Sequence, residues 1–596
     1  MSNIEQELQA PVADAKKFFE SDAGDGTKRE DQYIHGVQLM LCFFSVFLCM
    51  FLVALDQTIV TTIVSTVGNK FHAFEKVGWL ASGFLLTMAV FIQPFAKLSI
   101  ILGRKHTMIL GIVLFEAGSL LCALAPTMNV LIGGRVLAGI GASGIQGMTF
   151  VIVSEILPIH KRPVGMAVLS ATFAVASVLG PVIGGAFTTH VSWRWAFYIN
   201  LPIGGVAMVF FIYSFRPPFP EGSILEKLKT YDYLGTFFMT SGIVVFLLAL
   251  TFGGNDYAWN SAAVILCFVL GFLMIVVFCV WNFKFSKNPL IPYDIICTPQ
   301  LVACFVTASG VFAFFIASMI YLPVYFQVIQ EKSALSSGLH LLPTVIAVVI
   351  SSAASGIFIQ KTRYIKIVAL VGSVLGPIGI GLLCLLQVDS SKSAQIGLLI
   401  IVGISTGLNM QPSVIGAQVS APKTPGSTIL TISLVNFFRS LSSSIAADLA
   451  DTVYSSSLQK IYAEAVRSET NQDILTELAN ITPKMLRSDN SFISRLSPEA
   501  QHFVKSQIMK AIRNVFYMGI GLAAISLIGS LFITNKRLPT AEQQIREAKE
   551  VAANAQTETA PNEILDPAVE NESNVSKEAS DSSLAEKDEA KNQTTT

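Results

Sequence analysis

An aspartate, Asp56, stands deep inside an apolar stretch that opens near Gln38, in the run Leu55-Asp56-Gln57-Thr58-Ile59-Val60. Placing a carboxylate at the centre of a membrane-spanning helix costs about 2.5–3.5 kcal/mol on insertion scales, so it is kept where it faces a partner or a wet cavity. A second charge, Arg135, lies near the start of another apolar stretch, in Leu131-Ile132-Gly133-Gly134-Arg135-Val136-Leu137-Ala138-Gly139. If the two helices run in opposite directions, both charges fall at similar depth. A guanidinium beside a carboxylate favours the ionised form, and burial favours the protonated one; moving the arginine away lets Asp56 take a proton. That is reversible protonation inside a membrane. The alternative is a permanent ion pair that only ties two helices together.

Other groups sit at positions where packing and chemistry compete. Gly180-Pro181 and Gly184-Gly185 occur in one apolar segment, where the proline removes a backbone hydrogen bond and the glycines admit a neighbouring helix, giving a flexing point or a close-packed seam. Arg439, in Asn436-Phe437-Phe438-Arg439, and Glu116 both fall mid-segment. An unpaired arginine there calls for a carboxylate, a carbonyl or a wet cavity beside it, whereas Glu116 reads as structural. Asp448 and Asp451 read as solvated carboxylates near a segment end, with attraction of a cationic substrate as the alternative. Gln57, Gln146, Tyr325, Gln327, Asn436 and Arg439 are the candidates to line a substrate cavity, with polar contacts between helices as the other explanation. The eight cysteines lie in or beside apolar segments without ligand-like clustering, and the seven histidines lie in loops or near segment ends. No metal, cofactor or enzymatic nucleophile is expected.

The elements that must hold these residues are membrane helices. Of 596 residues, 52% are hydrophobic and only 13% charged, and mean hydropathy is +0.60. Ordinary soluble domains carry roughly 25% charged residues, so the class is polytopic membrane protein. A formal net charge of zero, with no basic tract carrying interleaved aromatics, argues against nucleic acid as a partner. Apolar runs fall near 38–67, 77–97, 106–125, 130–157, 164–189, 195–215, 232–252, 261–282, 300–329, 335–359, 366–386, 395–419, 428–453 and 512–534. Fourteen spans put both termini on one side. Lys and Arg concentrate in alternate short loops, as at Lys97, Arg104 and Lys105, Lys161 and Arg162, and Lys361 and Arg363, which places both termini in the cytosol.

The expected organisation is a polar tail (1–37), a six-helix bundle (38–215), a linker with two extra spans (216–299), a second six-helix bundle (300–535) and a disordered tail (536–596). The second bundle includes a long extracytosolic loop, 454–511, in which Ser497-Pro498-Glu499 has the cap, proline and acid of a helix start. Asn480-Ile481-Thr482 in that loop is a candidate glycosylation sequon. Transporters built from paired halves place their sites near the midplane, where the halves meet.

Four motifs in order carry a resemblance: the Asp56 run, the Arg135 run, Gly180-Pro181-Val182-Ile183-Gly184-Gly185, and Trp193-Arg194-Trp195-Ala196-Phe197-Tyr198-Ile199-Asn200-Leu201-Pro202-Ile203-Gly204-Gly205. Together with Leu322-Pro323-Val324-Tyr325-Phe326-Gln327 they resemble the major facilitator superfamily over roughly residues 38–535, and more narrowly its fungal fourteen-span drug:proton antiporters. The resemblance implies the major facilitator fold and proton coupling at Asp56 and Arg135, with the Gly-Pro run as the antiporter motif. The loop motif between spans 2 and 3 departs from the pattern: Gly103, Arg104 and Lys105 remain, but the family's first glycine, acid and first arginine are replaced in Ala96-Lys97-Leu98-Ser99-Ile100-Ile101.

With no phosphate-loop motif and no soluble domain large enough for an ATPase, energy must come from the membrane. The implied activity is proton-coupled export of amphipathic small molecules such as drugs, azoles, dyes or toxins, by a monomer in the plasma membrane whose partners are substrate, protons and lipid. Relatives that load basic amino acids into the vacuole supply one alternative, and a non-transporting membrane sensor signalling through its tail another.

Overall fold

The computed structural model describes residues 34–539, apart from short stretches around 74–75, 159, 219–221, 254–256, 423, 425, 470, 479–480, 483–484, 487–492 and 494–495, and also Gln543. The sequon at Asn480 lies outside the described residues, as does most of both tails.

Among the described residues, fourteen helices are long and apolar enough to cross a membrane. The first six are α1 (Gly36–Phe71), α2 (Trp79–Leu102), α3 (Arg104–Leu124), α4 (Met128–Ile156), α5 (Arg162–His190) and α6 (Trp195–Ser214). Two more follow, α7 (Tyr233–Phe252) and α8 (Ala262–Phe285). The rest are α9 (Pro299–Ile329), α10 (Leu342–Thr362), α11 (Lys366–Leu383), α12 (Lys392–Ser420), α13 (Ser427–Ser468) and α14 (Pro498–Leu531). Local chemistry sets many of the ends. Thr127, Ser261, Ser391 and Ser497 each accept a first-turn backbone N–H at the start of α4, α8, α12 and α14. Gly103, at φ +82°, takes the left-handed turn that lets α3 follow α2 without a linker.

Helices α1–α6 pack among themselves, as do α9–α14, and the two sets meet along α5 against α10 and α2 against α13. Helices α7 and α8 pack chiefly on each other, with α7 also touching α2 and α13. Most of α8 is exposed, with Leu266, Phe272 and Leu273 turned outward, as expected of a surface facing lipid. Asp232, just before α7, ties the ends of this pair: it accepts hydrogen bonds from Trp281 Nε1 (2.9 Å), Ser286 Oγ (2.7 Å) and its own cap partner Gly235 N (2.8 Å).

Two expectations are corrected. The segment at 335–359 is divided, with a short helix at Ala334–His340 preceding α10. The region 454–511 is largely not loop: α13 runs on to Ser468, and α14 begins at Pro498, where Ser497-Pro498-Glu499 has the signature of a helix start. Beyond Tyr454 the sequence is polar on one face only. Tyr454, Leu458 and Tyr462 are buried, as are Val504, Ile508 and Met509 of α14, and Asn514 Nδ2 donates to Ser457 Oγ at 3.0 Å. At 1.5 Å per residue, α13 is about 63 Å long, twice the roughly 30 Å of a bilayer core, so the hairpin projects beyond the membrane.

Candidate functional site

Asp56 and Arg135 are both fully buried and form an ion pair, Arg135 Nη1 donating to Asp56 Oδ2. The pair is held from several helices. Arg135 Nε donates to the Leu80 carbonyl of α2 at 2.9 Å, and its guanidinium lies 4.2 Å from the centre of the Phe84 ring. The other carboxylate oxygen of Asp56 accepts from Asn200 Nδ2 of α6 at 3.1 Å, and the same amide donates to Ser119 Oγ of α3, also at 3.1 Å. Residues of five helices therefore join one hydrogen-bonded network around this carboxylate. The buried carboxylate is thus matched by a guanidinium and an amide.

Asn200 escapes sequence reasoning because an uncharged amide in an aromatic-rich stretch raises no energetic flag. The stretch around it does the positioning. Arg194 donates to the Ala123 and Ala125 carbonyls at the end of α3 and stacks 4.8 Å over Trp193. Buried Trp193 meets Phe71 and Phe197 edge-on, which fixes the entry of α6 and hence the height of Asn200.

The Gly-Pro run of α5 seats α1 beside the pair. A β-carbon at Gly180 would overlap Thr58 Oγ1, and one at Gly184 would overlap Thr62 Oγ1, whereas Gly185 faces open space. Pro181 lies between them inside the same continuous helix. On the face carrying the loop motif, Arg104 grips both carboxylate oxygens of Glu155 with Nε and Nη2 at 2.8–3.0 Å, and Lys105 Nζ donates to the Ile212 carbonyl at 2.8 Å. Ile100 and Ile101 stand where the family pattern has its acid and first arginine; earlier in α2, Lys97 Nζ reaches the Pro289 carbonyl (3.0 Å) and Gln93 Nε2 the Leu290 carbonyl (3.4 Å), docking the segment after α8 on the end of α2.

The substrate candidates divide. Arg439, about midway along the membrane part of α13, lies between two aromatic faces, 5.0 Å from the Phe150 ring centre and 4.2 Å from that of Phe312, one from each six-helix set. None of the described ion pairs gives it a carboxylate. Asn436 is buried one turn away with Oδ1 unpartnered, and on α4 buried Gln146 Oε1 and Thr149 Oγ1 also lack partners among the described residues. Gln57 is half-buried and donates to Met88 Sδ at 3.2 Å.

Tyr325 and Gln327 do not belong with them. They lie in the closing π-turn of α9, about 20 Å along the helix from Phe312 at 1.5 Å per residue. Tyr325 donates to the Gln387 carbonyl at 2.9 Å and so anchors the loop after α11, and Gln327 is exposed. Near the same end, Asp448 accepts from Thr251 Oγ1 (3.4 Å) and Asp451 from the Tyr321 hydroxyl (3.3 Å). Glu116, read as structural, has no partner at all among the described residues: both carboxylate oxygens are buried and unbonded.

Two helical sets meeting around buried polar groups, with a charged pair inside one set, define a multi-pass transporter of the paired-bundle class. The chain matches the family model of the Major Facilitator Superfamily over residues 46–447 and belongs to that superfamily. It is 35% identical to the "Vacuolar basic amino acid transporter 5" of Saccharomyces cerevisiae, over 87% of this chain and 94% of that protein. It is 33% identical to "Azole resistance protein 1" of the same yeast, over 86% and 91%, and 32% identical to "Efflux pump aflT" of Aspergillus parasiticus, over 85% and 98%. Among solved structures, a bacterial homologue of the human lysosomal transporter Spinster, in an inward-facing and unoccupied conformation, superposes with a TM-score of 0.52 at 14% identity, covering 85% of this chain and all of that one. That likeness is one of fold.

Proposed function

We propose that this protein is a proton-coupled antiporter that exports amphipathic small molecules by alternating access, working as a monomer with both termini in the cytosol. The Asp56–Arg135 pair carries the reading: a charged couple buried inside one of the two helical sets that rock against each other in alternating access. In the cycle, Asp56 takes a proton from the outer side as substrate leaves and gives it up inward before the next substrate binds. Arg135 and Asn200 favour the ionised carboxylate; displacing them favours the acid. The Phe150–Arg439–Phe312 stack, with Gln146 and Asn436 one turn away, is where an amphipathic substrate would lie, its flat apolar part on the rings and its polar part on the unpartnered groups.

The energetics suffice. One proton crossing 100 mV yields about 2.3 kcal/mol and two pH units add roughly 2.7, at 1.36 per unit. The sum, about 5 kcal/mol, holds a several-thousand-fold gradient of a neutral substrate at 1.4 kcal/mol per decade.

The test is efflux of a panel of dyes, azoles and radiolabelled lysine and arginine from cells and isolated vacuoles, with Asp56→Asn and a protonophore as the two interruptions. Loss of transport under both is the expected result; transport surviving both would return the pair to a structural role.

A second reading, vacuolar transport of basic amino acids, is favoured by the 35% identity to a protein of that name and by Asp448 and Asp451, which could receive a cationic side chain. Uptake of labelled lysine by vacuoles, together with localisation of the tagged chain, separates the two.

A further inference from the structure

Arg439 carries a full charge at mid-membrane with nothing beside it to match that charge. It is 6% exposed, its guanidinium lies between the Phe150 and Phe312 rings, and among the described residues it makes no ion pair and no side-chain hydrogen bond. The helices packed against α13 have little to offer it. Helices α2, α7, α9 and α12 hold no acidic residue. On α4 the one carboxylate is Glu155, gripped by Arg104 at the end of that helix, and on α14 it is Glu499, in the first turn. Asp448 of α13 itself is nine residues on, two and a half turns, so it leaves the opposite face, where it accepts from Thr251 of α7. Asp451 accepts from the Tyr321 hydroxyl. Ring faces attract a guanidinium but do not neutralise it, and its five N–H donors remain without an oxygen.

Three more unsatisfied groups stand near it. Asn436, one turn back on α13, donates its Nδ2 to the Ile432 carbonyl at 3.1 Å, which leaves Oδ1 unbonded. On α4, Gln146 Oε1 and Thr149 Oγ1, within about a turn of Phe150, are likewise buried and unbonded among the described residues.

We propose that Arg439 is the anion-binding subsite of the substrate cavity. The transported molecule is then a flat amphipathic anion, its carboxylate or comparable acidic group received by the Arg439 guanidinium and its hydroxyl or N–H groups by the Asn436 and Gln146 oxygens. The proposal rests on the transport reading above and narrows its substrate class. A guanidinium presents paired N–H donors that match a carboxylate in two parallel hydrogen bonds. An amphipathic cation would meet like charge at that point, and a neutral molecule would leave the guanidinium unmatched. Because Phe150 comes from one six-helix set and Phe312 and Arg439 from the other, the bound anion lies where the two sets meet.

Holding this charge ready costs the empty protein stability, which gives the site a signature that a structural arginine lacks. Arg439→Met keeps the length of the side chain and its packing on both rings and removes the charge, so the purified full chain should melt at a higher temperature than wild type. A lower Tm would mean that the guanidinium already has its partner, and would overturn the assignment.

Binding tests the same group directly. The full chain in nanodiscs of zwitterionic lipid is titrated, without a proton gradient, with three probes of one shape: naphthalene-2-carboxylate, naphthalene-2-carboxamide and 2-naphthylmethylammonium, empty nanodiscs serving as the blank. A hydrogen bond to a charged group supports a preference of about tenfold to a hundredfold for the carboxylate over the amide, with the ammonium weakest. In Arg439→Met the preference should vanish. In Arg439→Lys it should survive in weaker form, since an ammonium keeps the charge but not the fork. Equal binding of the three probes, binding of none, or a carboxylate preference that persists in Arg439→Met would each overturn the anion subsite. None of these measurements uses a gradient, so a failed efflux test leaves the binding result standing, and equal probe binding leaves proton antiport at Asp56 untouched.

Discussion

At Asp56 the balance between solvation and pairing decides the chemistry. Neither member of the pair reaches water, so removing one leaves the other stranded, a loss of about 3–5 kcal/mol in comparable buried pairs. Arg135→Gln should therefore lower stability by that order in thermal unfolding of the purified chain, and the double variant Asp56→Asn/Arg135→Gln should recover much of it. Additive losses in this cycle would mean that the pair contributes no coupling. Arg135→Lys is a stricter test of geometry. The guanidinium reaches Asp56, the Leu80 carbonyl and the Phe84 face at once, and a lysine ammonium is a single point that cannot reproduce the fork. The variant should fold yet transport poorly, and wild-type efflux from it would show that charge alone is required. Asn200, 144 positions from Asp56 in the chain, was invisible at this scale for a physical reason: a buried amide is cheap enough that its presence in a sequence predicts no partner.

Among the elements, α5 and α1 form the seam on which the site depends. Gly184 lies against Thr62 and Ile59 of α1 and Gly185 against nothing, so Gly184→Val should separate the helices and depress transport strongly, while Gly185→Val should be close to neutral. Efflux and expression measured side by side check this, and equal effects would deny the seam its role. How much of this level could be read from the chain follows from the same physics. Fourteen spans were legible because a bilayer demands long apolar runs, and Asp56 and Arg135 because charge inside one is costly. The α13–α14 hairpin was hidden because past Tyr454 only one helical face stays apolar, so the average over all residues reads as loop. Tyr325 and Gln327 were misplaced because polar and aromatic residues look alike in sequence whether they line a cavity or close a helix end.

For the whole molecule, alternating access requires that contacts between the two helical sets break at one end while those at the other end hold. At the end bearing the loop motif, Arg162 at the start of α5 donates from Nη1 to Gln418 Oε1 near the close of α12, at 3.1 Å, and both side chains are buried. A little deeper, Gln411 Nε2 of α12 bridges Ser352 of α10 (2.8 Å) and Ser170 of α5 (3.3 Å). These ties join the two bundles at the end bearing the loop motif, and a charged hydrogen bond of this kind contributes about 2 kcal/mol. Arg162→Met keeps the length of the side chain and removes the tie. At 1.4 kcal/mol per decade, the state open at that end should rise roughly thirtyfold relative to the closed one. A cysteine introduced by Asn436→Cys, in a background without other reactive thiols, reports the change: its alkylation by an impermeant reagent applied from the loop-motif side should accelerate in Arg162→Met. Acceleration from the opposite side instead would reverse the assignment of which end this contact closes, and an unchanged rate from both would mean that Arg162 and Gln418 join the halves without gating them.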